Sequence, residues 1–119
     1  SGTPNLNALP MDTYQEMVIE ELRIKVPAYA KEVWLTAEKE IWEPWLSNQD
    51  GFIGRQIFWN KKSQEALILV NWKNKKLWKS ISKEEIEKIQ DKFEEKVKTS
   101  LNVQTYPFEI TYSSEIYKQ

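Results

Sequence analysis

The sequence predicts an α+β fold: a four-stranded antiparallel sheet in the chain order β-α-β-β-α-β, with helices on one face. Three observations predict it. Apolar and polar residues alternate over residues 17–26, the period of a strand. Steps of three and four take over twice, over 28–45 and 82–99, the period of a helix. Between those stretches, two strongly apolar runs flank a short polar segment, as in a hairpin.

Residues 1–16 are polar, contain two prolines and show no period, and read as a mobile arm. The domain then spans 17–119. Met17 to Val26 is the first strand, with Leu22, Ile24 and Val26 on one face and Glu21, Arg23 and Lys25 on the other. Pro27 has no N–H for a ladder and ends it. Ala30, Val33, Trp34, Ala37, Ile41 and Trp45 make the apolar stripe of the first helix. Lys31, Glu32, Glu38, Lys39 and Glu40 take its wet face. The ring of Pro44 would meet the carbonyl four residues back, so this helix kinks or ends near Glu43.

Ser47-Asn48-Gln49-Asp50-Gly51 is a turn cluster, and Gly51 tolerates positive φ. Phe52 to Trp59 is the second strand, where Gly54 marks a bulge or a close approach by a helix. Phe52 and Phe58 are expected on one of its faces, with Ile53, Ile57 and Trp59 on the other. Residues 60–65 form the hairpin loop, and Ala66 to Trp72 is the third strand. Lys75 to Ile81 is a short helical turn. Ser82 and Glu85 then form a capping box for a helix running to about Thr99, with Ile86, Ile89, Phe93 and Val97 inward. Tyr106 to Tyr112 is the last strand, which Ser113 to Gln119 extend. This is the ferredoxin-like, split βαβ order.

Composition narrows the chemistry. The 119 residues include six Trp, five Tyr and four Phe, but no Cys and no His. That removes disulfides, thiol nucleophiles, thiolate metal sites, imidazole bases and imidazole-bound haem. No metal and no cofactor is expected. The net charge of −1 argues against nucleic acid as a partner. The charge is uneven: residues 1–50 hold four basic and nine acidic side chains, and residues 51–119 hold thirteen and nine. Such poles suit a charged partner or a second copy, although solvated faces explain them equally. No segment approaches the roughly 18 apolar residues of a membrane span, and the start lacks a signal peptide. The chain therefore reads as soluble and cytoplasmic, although a leader removed before Ser1 would leave no trace.

The second and third strands are apolar on both faces. Antiparallel strands with one wet face alternate instead. Helices of the same chain cover one face, so something else must cover the other.

The order of elements, with Asp50-Gly51-Phe52-Ile53-Gly54 opening the second strand and Ile68 to Asn74 followed by Leu77-Trp78, resembles the dimeric α/β-barrel superfamily. The antibiotic biosynthesis monooxygenase and haem-degrading monooxygenase families belong to it. Val18-Ile19-Glu20, Val26-Pro27, Glu40-Ile41-Trp42, Gly51 to Gly54, Trp78 to Ile81 and Ser114 to Tyr117 further resemble an uncharacterised family found in cyanobacteria. The superfamily resemblance implies a homodimer packed sheet face to sheet face. It also sharpens an exclusion, because the haem-degrading members use a His ligand and an Asn on the first strand, and this chain has neither there.

The candidate ligand-binding residues are Glu21, Arg23, Asn71, Trp78 and Trp42. Trp78 follows the third strand, where superfamily members often place a pocket-lining aromatic. Trp42 lies about 90° off the helical stripe. Arg23 offers a two-pronged grip on a carboxylate or phosphate, and Glu21 and Arg23 otherwise form a rim ion pair. Asn71 either donates to a ligand or bonds locally, and Arg55 is read the same way. Trp34 and Trp45 are core residues; Trp59 and Trp72 are packing or dimer contacts. The run Lys73-Asn74-Lys75-Lys76-Leu77-Trp78-Lys79 is read as a solvated first turn with Leu77 and Trp78 inward; phosphate or an anionic lipid surface is its alternative.

Three functions follow as expectations. The first is a non-enzymatic dimer binding a small apolar or aromatic ligand between sheet and helices, with Trp78, Arg23 and Asn71 converging on one cavity. The second is a cofactor-independent monooxygenase-like or isomerase-like enzyme, with Glu20, Glu21 or Tyr112 as base. The third is a Trp-rich interaction or assembly module without a pocket.

Overall fold

The computed structural model describes residues 15–119. The arm expected over 1–16 lies, but for its last two residues, outside them. Strand β1 (Val18–Lys25) leads through a 3-10 turn (Ala28–Ala30) into α1 (Lys31–Ala37), a π-helical turn (Glu38–Trp42) and α2 (Glu43–Ser47). The hairpin β2 (Phe52–Asn60) and β3 (Glu65–Trp72) follows, then α3 (Lys75–Lys79), α4 (Lys83–Leu101) and β4 (Glu109–Tyr117). The strands form one antiparallel sheet in the order β2-β3-β1-β4. The helices lie on one face of it, as expected.

Packing follows the alternation. Val18 and Ile24 of β1 and Ala66, Ile68, Val70 and Trp72 of β3 are buried against Trp34, Ala37, Leu46, Phe93 and Val97 of the helices. Each fully buried large side chain contributes roughly 1.5–3 kcal/mol. Leu67, Leu69, Ile19 and Phe58 occupy alternate positions and face the uncovered side, where Phe58 is 53% exposed.

Local chemistry sets the element ends. Ser82 accepts from the Glu85 N–H at 3.1 Å and starts α4. Asn74 accepts from the Leu77 N–H at 2.8 Å and starts α3. Asn102, at φ 55°, closes α4 in the left-handed conformation.

Near Glu43, where Pro44 is expected to kink or end the first helix, the α-helix is interrupted by the π turn, and Pro44 enters the first turn of α2. A π turn inserts an extra residue and loosens the i→i−4 ladder, so the proline ring is accommodated. Two expectations are corrected. Phe52 and Phe58 do not share a face, because a bulge between Phe52 and Gly54 shifts the register. Phe52 turns to the helix side and packs edge-on against Trp72 at 5.8 Å. Gly54 closes the bulge, and a Cβ there would meet nothing within 4 Å. Finally, β4 starts at Glu109, later than Tyr106. Tyr106 and Phe108 flank Pro107 and pack edge-on against each other, and Tyr106 packs likewise on Phe93.

Candidate functional site

A cavity of about 150 Å³ lies between the sheet and the helices. Its floor is Glu20, Leu22 and Ile24 of β1, Ile68 and Val70 of β3, and Arg55 of β2. Trp42, Trp45 and Leu46 wall one side; Trp78 and Ile81 wall another. Ile86, Gln90 and Phe93 of α4 and Tyr106 complete it. Ile86 and Ile110, 38% and 60% exposed, mark its rim. The expected inward stripe of α4 is therefore packed only from Phe93 onward, because its first turns lie over the cavity.

The aromatic walls are fixed by their neighbours. Trp42 and Trp45 meet edge-on at 5.6 Å. Trp78 stacks on the buried Trp72 with ring centroids 6.3 Å apart, and Lys79 lies 3.9 Å over the Trp78 ring. Lys75 and Lys79 both pair with Glu115 of β4, at 3.0 and 3.2 Å. Two cations of the lysine run thus meet a carboxylate of the same chain, and Leu77 and Trp78 point inward, as the solvated-turn reading has it. Leu77 approaches Gly51, whose φ of +85° and missing Cβ make room for it.

The cavity has a polar edge, for which the sequence marks Arg55 but not its partner Glu38. Arg55 donates from Nη1 to Glu38 Oε1 at 2.6 Å and from Nη2 to the Glu38 carbonyl at 2.9 Å. Its Nη2 also reaches Glu43 at 3.5 Å. The Arg55 and Glu38 side chains are 5% and 6% exposed, so Glu38 is not on the wet face. A signal for this existed: Glu38 lies four residues after Trp34, a helical step that stays on the buried side. Burial pushes the Glu38 carboxyl above its usual range, against the pull of Arg55. The Nε–H of Arg55 is buried and finds no partner among the described residues. An orphaned buried donor costs roughly 1–3 kcal/mol.

Glu20 is the second polar group. Burial raises its carboxyl above the usual range, and Lys79 opposes that rise. The Trp72 indole N–H lies toward it without closing a well-formed hydrogen bond. Burial also raises the Tyr106 hydroxyl.

The five candidate residues divide. Trp42 and Trp78 line the cavity. Glu21, Arg23 and Asn71 lie on the opposite face of the sheet, so the expected convergence of Trp78, Arg23 and Asn71 does not occur. Glu21 and Arg23 pair at 3.3 Å, Ser114 donates to Glu21 at 2.9 Å, and Arg23 lies 5.2 Å from the Tyr112 ring centroid. Asn71 is buried and spends its amide donors on the Gly54 carbonyl and the Gln56 side chain, closing the β2 bulge. Trp59 donates to the Val26 carbonyl at 3.1 Å and packs on the helix side, as does Trp72, so neither is a contact of the uncovered face. Among the described residues no acidic cluster has the makings of a metal site, and no helix is long and apolar enough to cross a membrane.

No protein-family model matches the chain, and no curated protein sequence matches it either. Solved structures do. A conserved protein of unknown function from Bacteroides thetaiotaomicron superposes with a TM-score of 0.57 at 15% identity, over 87% of this chain and 99% of that one. A Streptomyces coelicolor monooxygenase, solved with the ligand nanaomycin D, gives 0.57 at 11% identity over 92% of each chain. A Nitrosomonas europaea protein carrying the name antibiotic biosynthesis monooxygenase gives 0.57 at 11% identity, over 87% and 91%. At such identities the likeness is one of fold. The chain has the ferredoxin-like α+β fold shared by the antibiotic biosynthesis monooxygenase-like proteins.

Proposed function

We propose that the protein binds a small aromatic ligand in the cavity between sheet and helices, as a homodimer closed over the uncovered sheet face. One observation carries this reading. The cavity is apolar, walled by Trp42, Trp45, Trp78 and Tyr106, and edged by two polar groups, the half-buried Glu20 and the buried Arg55 side chain. That is the composition of a ligand site. An apolar cavity of about 150 Å³ is large enough for benzene, which sets the scale at one ring. An assembly module would have no use for such a space. Glu21 and Arg23 then serve the dimer seam in place of the ligand, and Asn71 supports the strand beneath it.

Titration with toluene tests the reading. Binding should shift the indole N–H resonances of Trp42, Trp45 and Trp78. Val70→Phe, which fills the floor, should abolish the shift while the rest of the spectrum stays folded. No shift in the parent protein with toluene or with any hydroxylated single-ring aromatic at saturation would reject the site. Light scattering should give about twice 14.2 kDa at micromolar concentration.

A second reading is favoured by Glu20. A half-buried carboxyl with a raised pKa, lining an aromatic-walled cavity, is placed to take a proton from a hydroxyaromatic. The monooxygenases of the same fold lend this weight as analogy. Oxygen uptake above the uncatalysed rate with a panel of phenols, lost in Glu20→Gln, would establish it.

A further inference from the structure

The floor of the cavity carries two polar groups in one line. Glu20 faces Val70 across the β1–β3 ladder, and Val70 faces Arg55 across the β3–β2 ladder. All three line the cavity. Neighbouring strands lie about 4.8 Å apart, so the Glu20 and Arg55 backbones are about 10 Å apart with Val70 midway. A single ring lying over Val70 would have one end toward each polar side chain.

The two ends differ in what they accept. At the Arg55 end both Nη atoms are engaged, by the Glu38 carboxylate and carbonyl and by Glu43. The Nε–H remains as an unused buried donor. Two carboxylates already surround this one guanidinium, so a third anion would meet repulsion, whereas a neutral acceptor would not. At the other end the Glu20 carboxyl lines the cavity, with the Trp72 indole N–H toward it and the Lys79 cation attracting it. It suits a hydroxyl, which can bond a carboxyl in either protonation state.

We propose that the cavity selects a neutral, single-ring aromatic with a carbonyl-type acceptor at one end, received by the Arg55 Nε–H, and a hydroxyl at the other, bonded to Glu20. This rests on the ligand-binding reading above and adds the polarity and charge of the ligand to it.

Three probes of similar size separate the claims: 4-hydroxyacetophenone, 4-hydroxybenzoate and toluene. Each is titrated into the full chain at about pH 6, where the benzoate is an anion and the phenols are neutral. Proton–nitrogen NMR follows the indole N–H groups and the Arg55 Nε–H. The expected result is that 4-hydroxyacetophenone binds about tenfold more tightly than either other probe and moves the Arg55 Nε–H resonance, which toluene leaves in place. Glu20→Leu should cut the affinity for 4-hydroxyacetophenone about tenfold and leave that for toluene unchanged. Glu20→Gln, which keeps the shape and a hydrogen-bonding end, should retain most of it. Equal binding of toluene and 4-hydroxyacetophenone, or benzoate binding as tightly as the ketone, overturns the inference and leaves the cavity reading intact. Failure of all three to shift any indole resonance overturns both.

Discussion

Arg55 of β2 and Glu38 of the π turn meet at 2.6 Å, with side chains only 5% and 6% exposed. The pair ties the first helical segment to the sheet at the edge of the cavity. Glu38 would be intolerable there alone, because an isolated buried charge costs several kcal/mol. Truncating one partner is therefore expected to be far worse than removing both. Glu38→Ala should lower unfolding free energy by about 3–5 kcal/mol, whereas the double change Glu38→Leu with Arg55→Met should come within about 1 kcal/mol of the parent or exceed it. Urea denaturation of the parent and the two variants measures this. Equal losses in single and double variants would mean the pair acts through packing and not charge.

The same pair shows where a sequence is legible and where it is not. The order of strands and helices was readable because it rests on periods of two and 3.6, which Leu22, Ile24, Trp34, Ala37 and Phe93 carry unambiguously. Trp42 and Trp78 were readable as cavity residues because large aromatics off a packed stripe have few other places. Glu38 was hidden by its charge, which assigns it to water unless its partner is known. That partner lies 17 residues away on a different element. The Phe52–Gly54 bulge was hidden for a related reason. Alternation cannot count an extra residue, so it sets Phe52 on the face of Phe58, whereas the bulge turns Phe52 to the helix side. Alternation along β1 does set Glu21 and Arg23 against Leu22 and Ile24, but it does not tell on which side of the sheet the ligand space opens, and that space lies on the side away from Glu21, Arg23 and Asn71.

Titration gives the second prediction. Glu115 is held down to about 2 by Tyr117, Lys75 and Lys79, against an ordinary value of 4.5. A depressed carboxyl stabilises the fold above 4.5, and that contribution is lost as pH falls toward about 2. Glu115→Gln should therefore flatten the acid side of a plot of Tm against pH. A mutant curve parallel to the parent's below pH 4.5 would show that this network does not hold in solution.

The third prediction has the opposite sign. Glu20 is raised above 4.5, chiefly by burial. A raised carboxyl favours folding most below its unfolded value, and the favour is lost as pH rises through the folded value. Glu20→Gln removes the charge that burial penalises. Its Tm should equal the parent's near pH 4 and exceed it at neutral pH and above. A gain of one pKa unit's worth corresponds to about 1.4 kcal/mol. Calorimetry across that range measures it, and a variant less stable at pH 8 than the parent would show that Lys79 dominates over burial.

The two described strand and turn glycines differ in what they tolerate. Gly51 sits at φ +85°, and a Cβ there would fall 2.7 Å from the Leu77 Cβ. The left-handed conformation alone costs a non-glycine residue roughly 1–2 kcal/mol. Gly51→Ala should therefore lose at least that much, with Trp78 displaced along with Leu77. Gly54 has ordinary φ and open space around its would-be Cβ, so Gly54→Ala should stay within about 0.5 kcal/mol in the protomer. Similar losses at both positions would mean that Gly54 is covered by something outside the protomer.

The uncovered sheet face provides the last prediction. Phe58, Tyr112 and Ile116 are 53%, 49% and 41% exposed, and Leu67 and Leu69 lie beside them in register. Phe58 is the largest apolar group on the β2–β3 half of this face, and buried aromatics commonly dominate interfaces. In a two-fold dimer every changed residue acts twice on one self-complementary patch. Phe58→Asp should thus convert the proposed dimer to a monomer of 14.2 kDa in light scattering at micromolar concentration. Because Phe58 supports little of the protomer core, the monomer should keep its far-UV spectrum, and the apolar cavity on the other face should still bind toluene. A variant that remains at the parent's mass but unfolds easily would place Phe58 in the protomer's own packing and leave the sheet face without a role in assembly.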